Sequence, residues 1–94
     1  MKQYLSSEQT AKLIELGFEK PELSPNWDWY TPTYSVGELI AFLPEYSSIF
    51  DLEDLETQIR YWYVGHISTT DVKDTELIDA LYNMLIKLKE EGVI

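Results

Sequence analysis

Residues 74–92 read DTELIDALYNMLIKLKEEG. Leu77, Leu81, Leu85 and Leu88 recur at four- and three-residue steps, and Ile78, Met84 and Ile86 widen the stripe. That spacing predicts an amphipathic α-helix with one broad apolar face. Asp74 is placed as its N-cap, and Glu76 lies in the first turn, where negative charge suits the helix dipole. Lys87 and Lys89 stand near the end, and Gly92 is placed to close the helix in a left-handed conformation. A helix of about 16 residues is roughly 24 Å long, about the width of a small domain. Its apolar face needs a cover, which the rest of the chain must supply.

Working outward from that helix, residues 66–73 (HISTTDVK) read as a polar connection. Before them, residues 59–64 (IRYWYV) are rich in aromatic and β-branched side chains and predict a strand, ended by Gly65. Residues 49–54 predict its hairpin partner, with the turn within residues 54–58. A short helical turn is the alternative for residues 52–59, because Leu52, Leu55 and Ile59 are spaced for it. Further back, Ser35-Val36-Gly37-Glu38 reads as a capping box opening a helix that Pro44 stops near Leu43. Trp27 and Trp29 alternate with Asp28 and Tyr30, which predicts a short strand over residues 26–31 that Pro32 ends. Ser6-Ser7-Glu8-Gln9 is a second capping box, and its helix runs to Leu16, where Gly17 stops it and Phe18 offers the accompanying apolar contact. The predicted order is α-β-α-β-β-α. It predicts one α+β domain over residues 1–94, a two-layer arrangement with an antiparallel sheet of about three strands packed against helices.

Ninety-four residues bury about 60–65% of the unfolded surface, which makes one modest core and leaves little room for a deep cleft. Three Trp, seven Tyr and three Phe argue against disorder. Seventeen acids against seven bases give a formal charge of −10, which disfavours direct nucleic-acid binding and anionic membranes. The absence of cysteine excludes disulfides, thiolate metal sites and thiol catalysis. The first residues, MKQYLSSEQ, carry no apolar leader segment, and no apolar run approaches a bilayer span. A cytoplasmic protein is the expectation.

Three groups of segments carry a resemblance. They are Leu13-Ile14-Glu15-Leu16-Gly17-Phe18, Tyr34-Ser35-Val36-Gly37-Glu38-Leu39-Ile40 with Leu43-Pro44, and residues 76–82 with residues 86–92. Together they resemble a family of small uncharacterised proteins from gut Bacteroidetes genomes, their phages and mobile elements. The resemblance implies a bacterial or phage cytoplasmic setting. It implies no activity and assigns no residue a role.

Charge is segregated along the chain. Residues 21–59 hold Glu22, Asp28, Glu38, Glu45, Asp51, Glu53, Asp54 and Glu56, without one Lys or Arg. The plain reading is a solvated surface. The functional one is an acidic face for a basic protein partner, with DNA mimicry by a phage or mobile-element inhibitor of a nucleic-acid-binding protein as the sharper alternative. Asp51, Glu53, Asp54 and Glu56 miss the EF-hand spacing, so no metal is expected there. Trp27, Trp29 and Tyr30, with Tyr61, Trp62 and Tyr63, form two aromatic runs. On a strand Tyr61 and Tyr63 share one face and Trp62 takes the other, so one set stays partly exposed unless something covers it. Core packing is the plain reading; a contact surface, including self-association, is the functional one. His66 is the single histidine and reads as a loop residue. Ser68, Thr69 and Asp71 lie near it without a G-x-S-x-G, and the chain has no P-loop and no G-x-G-x-x-G. The expectation is an interaction protein rather than an enzyme, with no cofactor. Its expected partner surface is Trp27, Asp28, Trp29, Asp51, Glu53, Asp54, Glu56 and Trp62.

Overall fold

A computed structural model describes residues 3–21, 27–28, 31–45, 47–66 and 69–94. The chain runs α1 (Ser7–Glu15), β1 (Trp27–Asp28), β2 (Thr31–Pro32), α2 (Val36–Phe42), β3 (Ser47–Glu53), β4 (Arg60–His66), β5 (Thr69–Asp74) and α3 (Leu77–Glu90). Strands β3, β4 and β5 form an antiparallel meander in that order, and α3 packs on β4 and β5. The result is the two-layer α+β fold, 18 Å across its thinnest direction.

Helix α3 supplies much of the core. Leu77, Ile78, Ala80, Leu81, Met84, Leu85 and Leu88 are buried along it. Against them lie Val64 of β4, Leu39 of α2, Leu13 of α1, Leu5 and Tyr34. The helix closes with Gly92 at φ 75°, while the Val93 and Gly92 amides donate to the carbonyls of Leu88 and Lys89. Those two bonds are a Schellman closure. Gly17 at φ 101° does the same for α1, with Phe18 and Gly17 donating to Leu13 and Ile14.

Both capping boxes are formed. The Gln9 amide donates to Ser6 Oγ at 3.2 Å and the Ser6 amide to Gln9 Oε1 at 3.1 Å. Ser35 and Glu38 exchange the same pair at 3.3 and 3.1 Å. Gln9 Nε2 also donates to Asp79 Oδ1 at 3.2 Å, so one side chain caps α1 and ties it to α3. Residues 3–5 run antiparallel to residues 34–36, through Leu5 N to Tyr34 O and Val36 N to Gln3 O.

Four expectations are corrected. The stretch read as a polar connection contains β5, and its Val72 packs against the core opposite Val64. Only one face of β5 meets the core, so its sequence looks polar although Thr69, Thr70 and Val72 are β-branched. Recruiting residues 69–74 into the sheet moves the helix start: Asp74 ends β5, and Glu76 is the N-cap. Asp74 Oδ1 accepts instead from the Glu76 amide in the intervening turn, at 3.2 Å. The predicted single strand around Trp27 is a separate two-residue pairing, Trp27 with Pro32 and Asp28 with Thr31. Pro32 pairs rather than ends the strand, but lacking an N–H it cannot extend a ladder, which keeps the pairing short. Gly65 does not end β4. The strand continues to His66, with a register shift between Val64 and His66 against β5.

Candidate functional site

The meander has two unlike faces. Paired residues share a face, so Ile49, Val64 and Val72 form one row on the helix side, and Asp51, Trp62 and Asp74 the next. Trp62 is half-buried there, packed against the core. The opposite face carries Ser48, Phe50 and Leu52 of β3, Tyr61, Tyr63 and Gly65 of β4, and Asp71 and Lys73 of β5. None of these belongs to the core.

Short-range contacts hold this open face in place. The rings of Phe50 and Tyr63 lie 5.9 Å apart, tilted by 45°. Lys73 Nζ sits 5.7 Å over the Tyr61 ring, a cation–π contact between neighbouring strands. Tyr63 reaches along β4 over Gly65 and donates its hydroxyl to Asp71, which raises its pKa. A methyl group at Gly65 would lie 2.7 Å from Asp71 Oδ1 and 3.1 Å from the Tyr63 ring. The glycine is therefore what lets the tyrosine cross the strand to β5. An open depression of about 490 Å³ lies at this end, lined by Ser47, Ser48, Phe50, Tyr63, Gly65, His66 and Asp71. His66 is the last residue of β4 rather than a loop residue, and its Nε2 lies 3.0 Å from the Glu45 carbonyl oxygen.

At the other end the β3–β4 hairpin turns through residues 54–59. Asp54 organises it: its carbonyl accepts from the Gln58 amide at 2.7 Å, and its Oδ1 accepts from Glu56 N at 2.9 Å. Gln58 takes the left-handed conformation at φ 59°. The strand reading holds as far as Glu53, and the helical alternative for residues 52–59 survives only as the single turn that the Gln58–Asp54 bond closes between the two strands. Leu55 and Ile59, which that spacing would have placed on one helical face, are instead 86% and 52% exposed at the hairpin end. Phe50 and Leu52 follow at 53% and 38%.

The residues expected to form a partner surface are placed as follows. Asp51, Glu53, Asp54 and Glu56 are gathered on the β3–β4 hairpin. Asp51 pairs with Arg60 at 3.5 Å, a surface ion pair. Asp54 has a structural task in the turn. Trp62 is on the helix side of the sheet. Trp27 and Asp28 belong to the separate β1–β2 pairing, and Trp29 lies outside the described residues. The sequence reading missed Phe50, Leu52, Leu55 and Ile59. The alternation of Ile49 with Phe50 across a hairpin strand was the signal that could have found the first two.

Among the described residues, no group of three or more His, Asp or Glu side chains is arranged to hold a metal ion. No described helix is long and apolar enough to cross a membrane. Compared with protein-family models, curated proteins and solved structures, the chain matches none.

Proposed function

We propose that this chain is a small cytoplasmic protein-interaction module without catalytic activity, and that its contact surface is the β3–β4 hairpin. One observation carries the reading. Four large apolar side chains, Phe50, Leu52, Leu55 and Ile59, are exposed on one hairpin that also bears Asp51, Glu53, Asp54 and Glu56. Exposed apolar side chains gathered among charges mark binding surfaces more often than scattered ones do. The acids supply partner selection and on-rate, and the apolar side chains supply affinity. The partner that fits is a protein segment that is both basic and apolar. Interleaved apolar side chains favour such a segment over a groove built for phosphates, which is why DNA mimicry is the weaker alternative. The bacterial or phage setting implied by the sequence resemblance is compatible with this role.

The test is affinity capture at about 0.05 and about 0.5 M salt, across which exposed charge attraction is largely screened. Wild type is compared with Phe50→Ser/Leu55→Ser, whose exposed positions leave the core intact. The expected result is a partner held by wild type, weakened by salt and lost with the double variant. A partner set identical for both proteins would remove the hairpin from the reading.

A further inference from the structure

We propose that the partner docks as an added β-strand on the free edge of β3, in an extended segment whose residues alternate basic and apolar. This rests on the interaction reading above and names its geometry and partner class.

Among the described residues, strand β3 is an edge strand, seven residues long and bonded to β4 on one side. The direction of its backbone groups follows from the hairpin. Asp54 N donates to Ile59 O at 3.0 Å, so 54 and 59 form a hydrogen-bonded pair. Such pairs alternate with non-bonded ones along an antiparallel ladder. Leu52–Tyr61, Phe50–Tyr63 and Ser48–Gly65 are therefore the bonded pairs of this register. The amides and carbonyls of Ser47, Ile49, Asp51 and Glu53 face away from β4, along the free edge. An edge of this kind is a template for another strand.

Side chains set the partner's pattern. Residues directly opposite each other share a face. An added strand would place every second residue beside Phe50 and Leu52 on the open face, where apolar side chains extend the exposed patch. The intervening residues would stand beside Asp51 and Glu53, where Lys or Arg is favoured. A second copy of the chain is the poorer occupant. It would bring the same acids to the same edge, on a molecule of net charge −10. The two carboxylates that repel self-pairing are those that admit a basic strand.

The probe is a synthetic peptide as long as β3 that alternates lysine and valine. Its control has the same composition in two blocks. Amide hydrogen exchange of the full chain is followed by NMR. With the alternating peptide, the amides of Ile49, Asp51 and Glu53 should slow by about tenfold or more, while Phe50 and Leu52, already in the ladder, stay unchanged. Asp51→Pro, which removes an outward amide, a charge and the exposed Arg60 ion pair, should abolish that binding, and Asp51→Asn, which keeps the amide, should weaken it. Equal binding of both peptides without protection overturns strand addition but leaves the interaction reading standing. Binding of neither at about 0.05 M salt overturns both. Protection at these amides that grows with the concentration of the chain alone points to a second copy and overturns the basic partner.

Discussion

Tyr34 is fully buried, stacks edge-on to Phe42 with ring centroids 5.6 Å apart, and donates its hydroxyl to the Glu19 carbonyl. Burial, followed by the nearby Glu38 and Glu19 carboxylates, pushes its pKa from 10.0 up to about 12. The raised value favours the neutral form in the folded state. Tyr34 therefore contributes stability that is fully present below pH 10 and is lost as pH rises towards 12, because the unfolded chain releases this proton first. Ultraviolet titration should show Tyr34 ionising late, and thermal melts should show stability falling across that interval. Tyr34→Phe should flatten that part of the pH dependence while costing about 1 kcal/mol at neutral pH for the lost hydrogen bond. A similar economy of single residues governs the hairpin turn. Gln58 holds a left-handed backbone that costs a non-glycine residue about 1 kcal/mol. Gln58→Gly should raise the urea midpoint, and an unchanged or lower midpoint would show that the turn is not a point of strain.

Helix α3 is where the sequence speaks most directly. Its leucine spacing, its lysines and the closing Gly92 all agree, and local agreement of that kind is what makes an element legible. Leu81 sits at the middle of the buried stripe with 0% exposure. Leu81→Ala should cost about 2–5 kcal/mol, read as a lower denaturation midpoint at unchanged slope. Both capping boxes and the hairpin were legible for the same reason, since each is written within a continuous run of four to 20 residues. Strand β5 was not. Thr69, Thr70 and Val72 hinted at it, but a strand that offers the core one side chain looks like a polar loop until its partner strand is known. The start of α3 was misplaced in consequence, because Asp74 is an equally good cap in isolation. The candidate site was half legible. Its acids stand out in the sequence, whereas the alternation of Ile49 with Phe50 shows two faces without saying which one α3 covers, and the exposure of Leu55 and Ile59 follows from the exact placing of the turn.

Over the whole molecule the dominant quantity is charge. Seventeen acids and seven bases repel one another on balance more strongly in the folded state than in the expanded chain. Raising salt to about 0.5 M should therefore increase the melting temperature by a few degrees, with sodium chloride and a neutral osmotic control compared by circular dichroism. A lower melting temperature in salt would mean that pairs such as Asp51–Arg60 outweigh the net repulsion.

The order of the elements along the chain also sets an order in time. A ribosome completes the β3–β4–β5 meander before it adds the residues of α3 that cover it. At about 5–20 residues per second, the 14 residues of that helix take roughly 1–3 seconds to add. Until α3 docks, Val64 and Trp62 have no helix over them, and apolar side chains stand among polar ones on both faces of the sheet. The acids of the hairpin are then already in place, and their charge sets one partly folded chain against the next.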